Sequence, residues 1–413
     1  MTVRPVDPES RRRLVYAAVA LVLVMGAVLL AAGCDEVIRT GAQDIVVIKL
    51  NHDGSTAWTK TIDGGKHYTM YDAIQTSDGG YALGGIGSTP LCNPQCKGYT
   101  DQAPTIIRLS NTGEVISELR FPSEMKDKRG YGYPIFRIVQ TPDTGFYALS
   151  ETGTILSVSP SGIARGSRFI DTNLLNVNQI NSFYRTRDGG SIISGYTVSC
   201  ELNHKGEKQC PEPLWDYKVS FIEKLDLEGN TSWSRTYADS GFYEAYQIIE
   251  MKDDKGYAGV MKNKLNYSIV LFDKNGMIVN SSVVSLERYQ DNLLPGTSGF
   301  SVIGSRNANN TYPVFSYDYN GIKTDTKMIN FTYETDAIIV PSDSGYVSVS
   351  KVARYFTNIS VRKITGDGEL VWDRQIYSFG SESWKIHIWD VIETSDTGYL
   401  VVLGIGKEGN SKY

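Results

Sequence analysis

Histidine and cysteine are scarce in this chain, at four and five residues of 413. His52, His67, His204 and His387 form no His-x-x-His or His-Glu-x-x-His pair, which excludes the usual helical metal-hydrolase motif. There is no Gly-x-Ser-x-Gly stretch, so a serine-hydrolase elbow is excluded as well. Helical periodicity is missing from 45 to 404, and only one long uncharged apolar run occurs, near the N-terminus. A formal net charge of −5 lacks the basic excess that nucleic acid calls for.

What is present is a repeat. The stretch Asp72 to Ser88 (D-A-I-Q-T-S-D-G-G-Y-A-L-G-G-I-G-S) reads as two short strands across a turn at Asp78-Gly79-Gly80. Asp bonds the turn backbone and Gly accepts positive φ. The unit recurs at 388–404, 136–150, 180–196, 245–260 and 337–349, and in degenerate form at 291–304. A second hairpin alternates with it, clearest at 45–58, 221–233 and 361–372, with lesser copies at 105–116, 154–164, 268–279 and 312–323. In the three clear copies a tryptophan (Trp58, Trp233, Trp372) follows the turn glycine by four residues, which marks it as a packing position between repeats.

Four short strands per repeat and seven copies of each hairpin predict an all-β fold, a seven-bladed β-propeller of four-stranded blades over 44–407. The series begins with the second hairpin and ends with the first. Pairing 45–62 with 388–404 completes the last blade and leaves no open sheet edge. Residues 35–43 read as a linker and 408–413 as a tail.

Ahead of the repeats, residues 1–34 read as a signal or anchor segment. Arg11-Arg12-Arg13 precede Leu14–Gly33, a run long enough to span a bilayer as one helix with its N-terminus in the cytoplasm. The run ends in Ala31-Ala32-Gly33-Cys34, which resembles a lipoprotein processing site with Cys34 as the lipidated residue. It departs from that pattern in having Ala31 where Leu is usual. An uncleaved anchor helix and ordinary secretion are the alternatives, and all three place 35–413 outside the cytoplasmic membrane. The exported part carries 37 basic and 44 acidic side chains.

An exported protein favours paired cysteines. Cys92 with Cys96 and Cys200 with Cys210 are the expected disulfides, each closing a loop within one repeat; a four-thiolate zinc site is the competing arrangement. Six Asn-X-Ser/Thr sequons (Asn230, Asn266, Asn280, Asn309, Asn330, Asn358) are expected glycosylation positions. The turns within hairpins fall on one face of the disc, and the longer links between hairpins and between blades fall on the other. The links Lys66–Tyr71, Phe121–Ile135, Ala238–Tyr246 and Tyr377–Trp389 carry aromatics. Tyr68, Tyr71, Tyr131, Tyr133, Tyr243 and Trp384 are therefore the expected binding residues, suited to a protein or sugar surface. The Asp-rich turns offer oxygen ligands for calcium but serve the backbone more simply, so no metal and no cofactor is assigned.

Leu225 to Trp233 (L-D-L-E-G-N-T-S-W) resembles the blade ending of the exported quinoprotein-like propellers. That resemblance implies the architecture, and it implies either a cofactor-dependent dehydrogenase or a cofactor-free scaffold. Calcium-ligating and cofactor-stacking residues are not recognisable, which favours the scaffold branch, akin to membrane-tethered assembly lipoproteins. Phe136-Arg137-Ile138 resembles the arginine motif of sialidases but has Val139 where Pro is expected. The expected function is thus a non-enzymatic, membrane-anchored propeller that binds an extracellular protein or glycan. The alternative is an extracytoplasmic glycosidase-like or quinone-dependent enzyme.

Overall fold

The computed structural model describes residues 43–62, 65–90, 99–121, 125, 133–150, 153–169, 178–198, 201–202, 208–209, 218–252, 255–284, 293–296, 299–304, 307, 311–331, 335–343, 345–352, 358–378 and 384–407. Cys34, all four remaining cysteines, Tyr131, Asn309 and the Leu14–Gly33 run lie outside them. Among the described residues no helix is long and apolar enough to cross a membrane.

The described strands form five four-stranded antiparallel sheets, one eight-stranded sheet, and a two-stranded ladder pairing Glu201–Leu202 with Lys208–Gln209. The eight-stranded sheet is two antiparallel quartets that meet through one parallel pair, Gln43↔His67. One of its quartets is built from both ends of the chain. Trp384–Glu393 pairs with Tyr399–Lys407, which pairs with Gln43–Leu50, which pairs with Thr56–Ile62. The register runs from Gln43↔Gly406 to Leu50↔Tyr399, so the expected N- and C-terminal strand closure is realised. The other quartet of this sheet is His67–Gln75, Tyr81–Pro90, Tyr99–Leu109 and Val115–Arg120.

Burial orders the strands within each quartet. The second and third strands are covered on both faces by neighbouring sheets, and they read as nearly continuous apolar runs: Gln43–Leu50 and Tyr267–Phe272 are examples. The fourth strands, such as Thr56–Ile62 and Thr231–Thr236, are mostly exposed and form the rim. The first strands pack beside one another across quartets, and hydrogen bonds from sheet to sheet fix them there. A backbone N–H of one quartet reaches a side chain of its neighbour at Ala73→Asp390 (2.8 Å), Ile138→Asp72 (2.7 Å), Ile248→Ser182 (3.3 Å) and Leu293→Gln247 (2.7 Å). Four-stranded sheets standing side by side, with their first strands linked around an axis, make this an all-β propeller.

The turns explain the repeat. Asp78 Oδ1 accepts the Thr76 hydroxyl (2.5 Å) and the Gly80 N–H (3.1 Å), and Gly79 takes φ 81°. Thr141/Asp143, Thr186/Asp188 and Thr394/Asp396 repeat the Thr–Asp bond. A cation on the third strand then holds the turn: Lys49 to Asp396 at 2.9 Å, Lys224 to Asp188 at 2.8 Å, and Lys363 to Asp343. Asp188 and Asp396 therefore each hold backbone, hydroxyl and ammonium together. The tryptophans take their expected packing role. Trp58 donates to the Asn111 carbonyl and Trp372 to the His52 carbonyl, each in the next quartet's turn (both 3.1 Å). A Cβ added at Gly113, Gly54 or Gly276 would fall 2.5–2.7 Å from the ring of Trp58, Trp372 or Trp233.

Candidate functional site

The expected binding tyrosines do not stay together. Tyr68 is a correction: it lies in the strand His67–Gln75, not in a loop, and is 1% exposed. Its hydroxyl donates to Glu118 (3.2 Å), which also pairs with Lys66 (2.8 Å), and burial followed by the Glu118 charge raises its pKa. It offers no face to a ligand. Tyr71 is half-buried with its ring 6.1 Å from that of Phe136. Tyr133 is half-buried, its N–H bonded to the Met125 carbonyl. Trp384 begins a strand and pairs with Lys407. Asn230, Asn266, Asn280 and Asn330 are exposed, and Asn358 is half-buried, accepting a bond from Ser378 (2.9 Å).

Tyr243 has company. It sits where the Thr231–Thr236 strand passes, through a short 3₁₀ turn at Ala238–Ser240, to Glu244–Glu250, on the face of the inter-hairpin links. Glu244 accepts from both Lys218 and Tyr246. Lys218 stands 3.9 Å above the ring of Tyr196, and Lys262 lies 5.4 Å from that of Tyr267. Lys264 lies 5.9 Å from the ring of Tyr243, and the rings of Tyr246 and Tyr267 are 5.5 Å apart. Loss of hydration opposes the charge on Lys218, but its bonds with Glu244 outweigh that and its pKa rises. Glu244 is likewise opposed by burial and held down by Lys218 and Tyr246. The result is a cluster of four tyrosines and three lysines with one shared acid. Its rings and ammonium groups suit hydroxyl-rich or anionic surfaces. Tyr196 and Lys218 escaped the sequence reading because they end and begin strands inside the hairpins, where alternation hides them.

A second arrangement lies on the first strands. Asp390, Asp72 and Arg137 occupy one register position on three consecutive first strands, each just past a β-bulge (Ile388/Asp390, Met70/Asp72, Ile135/Arg137). Arg137 Nη1 is 3.7 Å from Asp72 and donates to the Tyr71 carbonyl at 3.0 Å. Loss of hydration pushes Asp72 up to about 6, with Arg137 opposing. Asp390 is half-buried, and the protein packs closely around it. Lost hydration and then the Asp72 charge push it up to about 7. Among the described residues no group of three or more His, Cys, Asp and Glu is placed to hold a metal.

No family model and no curated protein matches this chain. Solved structures do match in fold. A catalytically inactive virginiamycin B lyase from Staphylococcus aureus, with quinupristin, is 11% identical over 87% of this chain and 99% of its own, with a TM-score of 0.48. BamB from Moraxella catarrhalis is 10% identical over 81% and 99%, with a TM-score of 0.40. A Bacteroides caccae protein of unknown function is 11% identical over 66% and 89%, at 0.38. At these identities the likeness concerns the fold alone.

Proposed function

We propose that this chain is a non-enzymatic binding propeller, held to the outer side of the cytoplasmic membrane by its N-terminal segment. Counting the two quartets of the eight-stranded sheet separately gives seven blades. The partner is an extracellular protein or glycan met by the link face. The observation that carries this reading is the cluster of Tyr196, Lys218, Glu244, Tyr246 and Tyr267, whose side chains are already fixed by one another. A site ordered in advance loses little conformational entropy on binding. Residues 35–413, immobilised, test it against an extracellular glycan array and extracts of the producing cell's own surface. Tyr196→Ala with Lys218→Ala should abolish the strongest specific signal while leaving the melting temperature within a few degrees. Retention of that signal by the double variant would refute the site.

The Asp72/Asp390 pair gives a second, enzymatic reading some support, because a carboxyl group that is protonated near neutrality can act as a general acid. Asp390→Asn distinguishes the two: an enzyme loses turnover, whereas a binding propeller keeps its ligand.

A further inference from the structure

The opposite face, where the turns gather, holds two adjoining cavities that share Arg187 and Glu250 in their walls. The outer one encloses about 370 Å³ between the 178–236 and 244–284 quartets. The inner one, about 170 Å³, runs toward the 293–330 quartet beneath Tyr184, Phe300 and Tyr319.

Trp233, in the outer wall, breaks the pattern of its two counterparts. Trp58 and Trp372 spend their indole N–H on the carbonyl two residues before the next turn's glycine. The matching carbonyl for Trp233 is that of Lys274, and the bond is not made among the described residues. Arg235 instead takes the carbonyl of Asn275. Trp233, packed on Gly276, thus lines the cavity without the indole bond its counterparts make.

The acids in the walls are hydrogen-bonded, and Asp188 is also paired with a cation. Asp188 is held by Lys224 and Thr186. Glu250 accepts the backbone N–H of Arg187 (2.7 Å). The exposed Arg187 guanidinium makes no ion pair with an acid among the described residues, and the same is true of Lys252 in the inner wall. The walls around these groups are aromatic. They are built from turns and from strands of three quartets.

From this combination we infer that the trough is a binding site for an acidic sugar. Its carboxylate is taken by Arg187 and Lys252, one hydroxyl by the Trp233 indole N–H, and its ring by the aromatic walls. Guanidinium pairs a carboxylate through two parallel bonds, and the outer volume lies in the usual range for a small-molecule pocket. The inference rests on the binding reading above and places a ligand class on a face that reading does not use.

Glucuronic acid and its disaccharides are the probes, with glucose, sodium acetate and sodium sulfate as controls, on residues 35–413. Glucuronate should quench Trp233 fluorescence saturably, with a Trp233→Phe variant identifying the signal. Glucose and acetate should bind at least tenfold more weakly. Arg187→Ala keeps the backbone N–H that serves Glu250, so the fold is retained. It should weaken glucuronate about 10- to 100-fold, the range for a lost charge-assisted bond, and Arg187→Lys should restore part of it. Equal binding of sulfate or acetate, binding of an acidic peptide in preference to glucuronate, or indifference to Arg187→Ala would each overturn the inference. Link-face binding by Arg187→Ala is measured alongside. If it survives while glucuronate fails, only the trough is lost; if both fail, the binding reading falls as well.

Discussion

Asp390→Asn should stabilise this protein at alkaline pH, although it removes a charge that accepts the backbone N–H groups of Ala73 and Val391. The Ala73 N–H needs an acceptor at this position, and neutral side chains supply one elsewhere, from Ser182 to Ile248 and from Gln247 to Leu293. The negative charge is therefore not required for the link. It is costly, because Asp390 lies beside Asp72, and Arg137, the cation near the pair, sits next to Asp72. With Asp390 raised from 3.8 to about 7, the native state holds a proton that the unfolded chain releases. Stability therefore falls as pH rises from about 4 through about 7 and stays low above that. Below about 4 both states are protonated and the effect vanishes.

Three pH units correspond to about 4 kcal/mol, and Asp72 shares part of that cost, so the two shifts do not add. In a domain of this size about 4 kcal/mol amounts to roughly 5 °C in melting temperature. Calorimetry of wild type and Asp390→Asn from pH 4 to 9 is the assay. The wild type should lose stability across the window, and the variant should show a flatter profile and a higher melting temperature at pH 8. A variant less stable at pH 8, with an unchanged slope, would mean that Asp390 is ionised in the native state and that its charge is needed.

Two turns place threonine where their counterparts place glycine: Thr397 has φ 59° and Thr144 φ 67°, against 81° for Gly79 and 84° for Gly189. Left-handed backbone costs a β-branched residue about 1–2 kcal/mol. Thr397→Gly should therefore raise stability by about 1 kcal/mol in urea unfolding, the glycine's greater freedom when unfolded offsetting the rest. Cys34→Ser should release the protein from the membrane fraction or trap an unprocessed precursor, read by fractionation and intact mass; an unchanged mass and membrane fraction points instead to Leu14–Gly33 as the anchor.

The hairpins and their closing order were legible because their causes are local. An Asp-x-Gly turn with apolar residues on either side fixes its own register, and a series that starts and ends on different hairpins can close in only one way. The cross-sheet links were not legible. Asp390, Asp72, Ser182 and Gln247 do the same work with three residue types, and only a bulge common to their strands aligns them. The lysine clamp was visible in retrospect as the Lys before the last apolar residue in I-K-L, E-K-L and R-K-I. Lys49, Lys224 and Lys363 are each about 5% exposed, yet alternation alone reads such a residue as facing solvent. Tyr68 was misplaced for a similar reason. The strand begins at His67, and polar neighbours concealed that start.

The closing quartet, built from both chain ends, is bonded to the 67–120 quartet as that quartet is to the next, which sets a further expectation. Across it, Asp390 accepts the Ala73 N–H and Gln75 accepts the Ser395 N–H (2.6 Å), one link running each way. At the next interface Asp72 accepts from Ile138 and Gln140 from Ser77 (2.7 Å) in the same two directions. The closing quartet is thus held to its neighbour by the same pair of bonds as the next interface along the chain, and it should not open first. Gln75→Leu removes one bond between the closing quartet and its neighbour, and Gln140→Leu removes its equivalent at the next interface. Each should cost about 1 kcal/mol, the net value of one such bond, and the two costs should agree within about 0.5 kcal/mol. Hydrogen exchange of the Gln43–Leu50 amides decides the matter. If Gln75→Leu accelerates their exchange far more than Gln140→Leu accelerates that of the Ile135–Gln140 amides, the closing quartet is a separate opening unit and the equivalence of the two interfaces is wrong.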